Sequence, residues 1–554
     1  MMKQILIVIG ILLIFGCADV PDSNKQFITG GCTEGSGSAS ENQYVTPDAT
    51  APTISSPPTS GATDVSVSAD IIIPFSEEMD SSTINSTNIT VVDGSGNAVS
   101  GVWSYSGTTA TLNPSSDLSY STTYTVTVGT GVKDRAGNNL GTSASWNFTT
   151  IATWIGTKQL GSTDDDLGFS VINDSSGNVF VTGRTSGGLD GNSNAGDEDL
   201  FVVKYNSSGT KQWTQQLGTS GSDKGRGITT DSSGNVYVTG NTSGSLDGNT
   251  SAGDDDLFVV KYNNSGTKQW TRQLGTSKEE FGHGITSDSS GNVYVTGHTL
   301  GGLDSNTSAG SSDFFVVKYN SSGTKQWTQQ LGTSNDEFAY GITSDSSGNV
   351  YVTGHTAGSL DGISSSGKWD LFVVKYNSSG IKQWIQQLDS SANEQVYSIT
   401  SDSSGNVYVT GYTSGGLDGN TSAGLDDLFV VKYNSSGIKQ WTRQLGSNSL
   451  DHGYSIVSDN NGNVYVTGKT GGGLDSNINM GAWDLFVVKY NSSGIKQWTK
   501  QLGTTTYDVG RGITIDSSES VYVTGYTQGG LGSDTSAGNN DFFVVKYNTD
   551  GNKQ

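Results

Sequence analysis

Short apolar runs separated by glycine-bearing polar turns recur from residue 151 to residue 554 with a period of 57 residues. V-Y-V-T-G, or V-F-V-T-G in the first copy, begins at Val179, Val236, Val293, Val350, Val407, Val464 and Val521. F-V-V-K-Y-N begins at Phe201, Phe258, Phe315, Phe372, Phe429, Phe486 and Phe543. Within the second of these runs, Phe258, Val260 and Tyr262 alternate with Leu257 and Val259, so the strand is apolar on both faces, as in a sheet packed between two others. D-S-S-G-N and Y-N-N-S-G-T, on either side of such runs, are short connections that reverse antiparallel strands. The pattern predicts four strands per copy; in the second copy A lies near residues 227–230, B near 236–242, C near 257–262 and D near 268–274.

A repeat of this length built from several short strands is the mark of a β-propeller blade rather than of a helical solenoid. The third element, K-Q-W-x-x-Q-L, carries Trp213, Trp270, Trp327, Trp384, Trp441 and Trp498, while its seventh relative, Trp154, stands ahead of the first complete copy. This phasing predicts a ring of seven blades in which residues 152–160 add the missing D strand beside the last C strand, leaving no open edge. The tryptophans, at fixed phase with Leu217 and its counterparts four positions later, are expected in the core between blades. Over about 400 residues these motifs resemble the SBBP-type seven-bladed propeller repeats. That resemblance implies a fold and a habitat, the bacterial or archaeal envelope, and brings no defined activity or catalytic residues.

Ahead of the repeats, residues 51–150 hold alternating segments near 65–68, 71–75, 89–92, 109–112, 124–128 and 145–149, a density of short strands that suits a β-sandwich. The stretches Ile73-Pro74-Phe75-Ser76-Glu77-Glu78-Met79-Asp80 and Val132-Lys133-Asp134-Arg135-Ala136-Gly137-Asn138-Asn139-Leu140 resemble the bacterial Ig-like domain of surface-layer proteins, which implies a spacer. The whole is therefore expected to be all-β, an Ig-like sandwich followed by a seven-bladed propeller. Residues 18–50, rich in Gly, Ser, Thr and Asn, read as a disordered tether. Residues 1–17 read as a secretory signal: Lys3, an apolar run from Ile5 to Phe15, then Gly16-Cys17. Ile14-Phe15-Gly16-Cys17 resembles a lipoprotein processing box, although Phe15 stands where a small residue is usual. The resemblance implies lipidation of Cys17, with acyl chains anchoring the protein to the membrane. Cys32 alone remains, so no intramolecular disulfide forms once Cys17 is acylated. Outer membrane or cell surface is the expected location.

Composition narrows the partners further. A formal charge of −24, with no basic cluster, opposes binding of a phosphate backbone and argues against nucleic acid. Four histidines and two cysteines form no metal-spaced group, and no P-loop, H-E-x-x-H segment or G-x-S-x-G elbow with a triad is present; no enzyme and no cofactor is expected. Calcium is considered at Asp80, Asp134 and Asn138 and in acidic B-to-C loops such as Leu246-Asp247-Gly248-Asn249, but Asp and Asn in turns ordinarily bond their own backbone. Asp199, Asp256, Asp313, Asp370, Asp427, Asp484 and Asp541, ahead of every C strand, are expected to cap turns in this way. Asp190, Asp247, Asp304, Asp361, Asp418 and Asp475 give way to Gly532 in the last copy, which argues against a metal in every blade.

The seven copies differ where function is free to act. Just before strand A stand Phe169, Arg226, His283, Tyr340, Tyr397, Tyr454 and Arg511; after V-T-G stand Arg184, Asn241, His298, His355, Tyr412, Lys469 and Tyr526. Both sets are expected to ring one mouth of the propeller, while the opposite face repeats nearly unchanged. Side chains with an apolar body and a polar tip are those of recognition surfaces, and sevenfold display favours multivalent binding. The equal alternative is that they cover the inner strands and fill the channel. The reading is a monomeric adhesion or binding scaffold for extracellular protein or glycan. A glycan hydrolase or lyase in the channel, and a passive surface-layer component, are the alternatives.

Overall fold

The computed structural model describes residues 48–54, 60–150, 154–365, 368–388, 390–532 and 534–554. Cys17, the signal and nearly all of the tether lie outside them. Residues 62–150 form two sheets, built from β1 (Ala62–Val65), β2 (Ile71–Pro74), β3 (Ile89–Asp93), β4 (Gly101–Ser106), β5 (Thr109–Pro114), β6 (Thr123–Val128) and β7 (Ala144–Thr150). The sheet orders are β1-β7-β6-β3 and β2-β5-β4. Ile73, Phe75, Val91, Leu112, Val126, Trp146 and Phe148 interleave between them. Two readings need correction here: the first strand ends at Val65 instead of beginning there, and β4 has no counterpart in the sequence pattern because its side chains are exposed or half-buried along its whole length.

Among the described residues the repeats form seven four-stranded antiparallel sheets in a propeller-like arrangement. The first sheet comprises β9 (Asp166–Asn173), β10 (Val179–Thr185), β11 (Asp199–Tyr205) and β12 (Lys211–Leu217). The short strand β8 (Lys158–Leu160) precedes it in sequence but pairs with Asp541–Tyr547, placing Leu160 opposite Phe542 in the last sheet. First and last sheets also share a core: Trp154 packs edge-on against Tyr522 at 5.3 Å, and Phe201 stacks on Phe542 at 4.8 Å.

Every C strand is buried along its length, save for a half-buried lysine in six of the seven, which is why its sequence is apolar on both faces. The V-T-G glycines stand where strand A and strand C crowd together; a side chain on Gly240 would collide with the Lys224 carbonyl and lie 3.0 Å from Phe258. The D-strand tryptophans cross to the next sheet as expected: Trp213 lies against Gly266 and donates from its indole N–H to the Asn264 carbonyl at 3.1 Å. The near-invariant D-S-S-G-N turns are likewise accounted for. Asp231 accepts bonds from the Ser233 and Asn235 amides through Oδ1, and from Asn235 Nδ2 and the Tyr237 hydroxyl through Oδ2, all at 2.8–2.9 Å.

Candidate binding mouth

Each innermost strand carries a β-bulge at one repeated place. Pairing runs Lys224 to Asn241 and Gly225 to Gly240, then resumes at Gly227 to Thr239, so Arg226 is the extra residue. Phe169, His283, Tyr340, Tyr397, Tyr454 and Arg511 hold the same position in the other six sheets. A bulge bends its strand and re-aims the extra side chain. The expected placement before strand A is thereby corrected: strand A begins earlier, at Asp223 in the second copy, and glycines and the bulge hide its start by breaking the period of two. Arg184, Asn241, His298, His355, Tyr412, Lys469 and Tyr526 lie at the end of strand B as expected, each one residue before its last.

The two sets meet within sheets. Arg226 Nε donates to Asn241 Oδ1 at 2.9 Å, and His283 Nε2 lies 3.1 Å from His298 Nδ1. Ring centroids of Tyr340 and His355 are 5.4 Å apart, those of Tyr397 and Tyr412 6.1 Å, and Arg511 stands 5.8 Å from the Tyr526 ring. They also meet from one sheet to the next. His283 to Tyr340 (4.5 Å), Tyr340 to Tyr397 (5.3 Å), Tyr397 to Tyr454 (5.2 Å) and Arg511 to Tyr454 (4.2 Å) make a continuous aromatic and cationic arc. Phe169 borders Gly512 of the last sheet through its backbone and joins this arc through no aromatic contact.

A second tier escaped the sequence reading: the residue just ahead of the C-strand aspartate, namely Glu198, Asp255, Ser312, Trp369, Asp426, Trp483 and Asn540. Glu198 pairs with Arg184, and with Lys224 at 2.8 Å. Asp255 accepts from Asn241 Nδ2 at 2.8 Å, and Trp369 meets His355 at 5.0 Å. Asp426 lies 3.0 Å from His452 Nε2, and the other ring nitrogen of His452 is 3.2 Å from the Tyr454 hydroxyl. Lys469 sits 3.4 Å above the Trp483 ring. Variation from copy to copy was the available signal, the same one that marked the other two sets.

All four histidines of the chain gather here, and burial pushes every one below its ordinary range: His298 and His355 to about 3, His452 to about 4 despite Asp426, and His283 well down, with Arg226 adding to the effect. They are neutral at physiological pH. Burial also lowers Lys469 to about 8, with Arg511 contributing, and raises Tyr454 to about 12. Beside the arc, Asp165, Leu167, Arg184, Trp483, Tyr507, Tyr526, Gln528 and Asn540 line a cleft of about 270 Å³.

The acids once considered for calcium are engaged otherwise. Six B-to-C loop aspartates pair with D-strand lysines, as Asp247 does with Lys268. Asp256 Oδ2 accepts from the Ala252 amide and from Gln273 Nε2, both at 2.8 Å. Asp80 caps a turn through the Ser82 amide at 3.0 Å, and Asp134 accepts from the Asn138 amide and side chain. The carboxylates of Asp48, Glu77 and Asp134 do lie within 4.8 Å of one another in the Ig-like domain.

The class follows from these features. Residues 48–150 match the bacterial Ig-like domain, and residues 212–247, 269–304, 326–361, 383–418, 440–475 and 497–532 match the beta-propeller repeat. The chain is thus a bacterial-type Ig-like domain followed by propeller repeats. Among individual proteins it is similar to the uncharacterized WD repeat-containing protein L264 of Acanthamoeba polyphaga mimivirus, at 23% identity over 57% of this chain and 31% of that one. It is also similar to the regulatory protein FlaEY of Caulobacter vibrioides, at 26% identity over 31% of this chain and 20% of that one. The chain therefore spans less than a third of either relative. Among solved structures, BamB from Moraxella catarrhalis aligns at 12% identity and a TM-score of 0.31 over 71% of this chain and 99% of that one. An ulvan lyase of polysaccharide lyase family 25 aligns at 11% and 0.42 over 72% and 97%.

Proposed function

We propose that the repeats close into a seven-bladed propeller whose variable end is the working surface of a lipid-anchored envelope protein, a binding or adhesion scaffold for extracellular protein or glycan. One observation carries this reading. At the repeated bulge, where the residue has no partner across the ladder, the copies place arginine, histidine, tyrosine and phenylalanine, and five of these seven, His283, Tyr340, Tyr397, Tyr454 and Arg511, form one contiguous arc that Arg226 joins through Phe281. The anchor and the envelope location rest on the sequence of residues 3–17 alone.

The test applies the purified protein to arrays of glycans and matrix proteins, beside a variant with Arg226, Tyr340, Tyr397, Tyr454 and Arg511 changed to Ala. Binding that the folded variant loses places function at the mouth; binding that it retains moves function elsewhere.

A second reading has its own observation. The chain Tyr454 to His452 to Asp426 is an oriented imidazole between a hydroxyl and a carboxylate, the geometry of proton transfer. It favours a glycan hydrolase or lyase. Release of new reducing or unsaturated ends, abolished in His452→Asn, is the expected sign of such an activity.

A further inference from the structure

An acid opens every A strand, and with the seven C-strand aspartates these make fourteen acids at the junctions between sheets, each at most 1% exposed. Oδ1 of all seven C-strand aspartates is buried without a hydrogen-bond partner. The two junctions that flank the third sheet bring the acids closest. From the place of a Cβ on Gly275, Asp256 Oδ1 is in contact and Glu280 Oε2 is 3.0 Å away; at Gly332, Asp313 Oδ1 and Glu337 Oε2, at 2.9 Å, repeat the arrangement. At Gly218, Gly446 and Gly503 the facing acid is an aspartate, one methylene shorter, and the three nearest atoms all belong to the C-strand residue.

The other oxygens of the two close pairs are spent. Glu337 Oε2 accepts the Thr333 amide at 2.5 Å, and Oε1 accepts the hydroxyls of Thr333 and Thr356 at 2.7 and 2.8 Å. Asp313 Oδ2 accepts the Ala309 amide and Gln330 Nε2 at 2.8 and 2.7 Å. Glu280 and Asp256 are bonded in the same pattern. None of these four acids forms an ion pair with any described residue. The charges around the first pair are Asp255 and Glu279, next in sequence, and Asp223, which accepts from the Thr242 hydroxyl opposite Asp256. Around the second they are Asp336 and Glu280 itself, which accepts from Thr299 opposite Asp313. Lys278, on the connection to Glu280, is exposed.

Two ionised carboxylates buried together without a cation are costly. A metal ion takes several oxygens, and here only Asp Oδ1 is idle, beside a Glu Oε2 that already holds an amide. A water bridge would fill the gap and leave both charges in place. A proton needs two oxygens and removes one charge.

We infer that Asp256 with Glu280, and Asp313 with Glu337, each hold one proton between Asp Oδ1 and Glu Oε2 in weakly acidic to neutral solution, fastening the third sheet to both neighbours. The proton comes from solvent on folding; the O–H of one carboxyl donates to the other, the idle oxygen gains its bond, and the pair titrates as a unit. Burial raises Glu280 and Glu337 above their ordinary value, with the charges of Asp256 and Asp313 assisting. The contribution is therefore full below the unfolded value, about 4.3, and is lost as pH rises through the folded one. Glu280 and Glu337 open the strands that carry His283 and Tyr340, so the fastening lies at the foot of the aromatic arc.

Infrared difference spectra of the full-length chain in detergent read un-ionised carboxyl groups directly. At about pH 6.5 an ordinary glutamate, near 4.3, is less than about 1% protonated. Under that condition the parent should exceed Asp256→Asn by one un-ionised carboxyl and the double variant Asp256→Asn/Asp313→Asn by two, because each asparagine amide donates to the glutamate in the proton's place. The difference should vanish at about pH 10, where the pair releases its proton. Urea midpoints show that the variants fold, and calcium or a chelator should leave the parent's midpoint unchanged. No difference between parent and folded double variant at about pH 6.5 would overturn the inference. So would a midpoint that calcium raises in the parent and not in the double variant, which assigns the gap to a metal ion.

Discussion

Asp256→Asn should stabilise the protein at neutral pH. Asp256 and Glu280 are both fully buried, one at the start of a C strand and the other at the start of the next sheet's A strand. Glu280 is well supplied: Oε2 accepts the Thr276 amide at 2.5 Å, and Oε1 accepts the hydroxyls of Thr276 and Thr299 at 2.7 Å. Asp256 uses only Oδ2; Oδ1 is buried without a partner. A side chain begun at Gly275 would strike this Oδ1 while standing 3.0 Å from Glu280 Oε2, so the two acids face each other across the junction. Burial raises Glu280 above its ordinary value, opposed by its threonine bonds and assisted by the Asp256 charge. Asp166, Asp223, Glu337, Asp451 and Asp508, each beside its own C-strand aspartate, are raised in the same way.

The sign follows from linkage. A carboxyl whose folded pKa exceeds the unfolded one keeps its proton longer in the native state. Its contribution is fully present below the unfolded value, near 4.3, and is lost as pH rises through the folded value. In Asp256→Asn the amide oxygen can replace Oδ2, and the amide nitrogen can donate to Glu280, ending the repulsion. One hydrogen bond to a charged group predicts a gain of about 1–2 kcal/mol at about pH 8, shrinking below about 0.5 kcal/mol at about pH 4. Asp256→Ala leaves the Ala252 amide and Gln273 Nε2 without their acceptor and should cost about 2–4 kcal/mol at both pH values. Urea midpoints followed by near-ultraviolet circular dichroism measure the parent and both variants. If Asp256→Asn costs as much as Asp256→Ala at the higher pH, the orphaned oxygen requires a negative charge and the reasoning is wrong.

The buried histidines act in the opposite direction. With folded values near 3, His298 and His355 are neutral when the unfolded chain, near 6.5, takes up protons, so stability present above about pH 6.5 is lost on acidification. Each should contribute a slope of about 1.4 kcal/mol per pH unit between about pH 6 and pH 4, and comparing His355→Gln with the parent in urea titrations isolates one share. Gly240→Ala forces a methyl group against the Lys224 carbonyl and should lower stability by about 1–3 kcal/mol. Gly94→Ala, whose nearest neighbour would be 3.8 Å away, should change it by less than about 0.5 kcal/mol, and a larger loss there would discredit the steric estimate.

What the sequence conveyed was local. The doubly apolar C strand, the D-S-S-G-N turn and the crossing tryptophans are each written in consecutive residues, and strands B and D fell within a residue of their expected limits. The bulges could not be read because a bulge is a relation between two strands, visible only when Gly225 and Gly227 are set against Gly240 and Thr239. This is why Arg226 and its counterparts were expected at a strand's edge although they lie inside it. β8 has only three residues, too few to show a period, and was placed from the phasing of Trp154 alone. Asp426 and Trp483 stand beside an aspartate repeated in all seven copies, and only their variation from copy to copy marks them.

A bulged residue has no partner across its ladder: pairing stops at Gly225 and resumes at Gly227, so the residue between answers to its side-chain neighbours and not to the register of the sheet. Substitution at that point therefore changes chemistry and side-chain contacts while the backbone pairing register is kept, and duplication of a 57-residue unit copies the frame intact. Seven such points, one in each sheet, already hold four kinds of side chain. The scaffold works as a short alphabet, in which a new specificity needs only a change of letters at fixed places, and the fold need not be reinvented for each ligand.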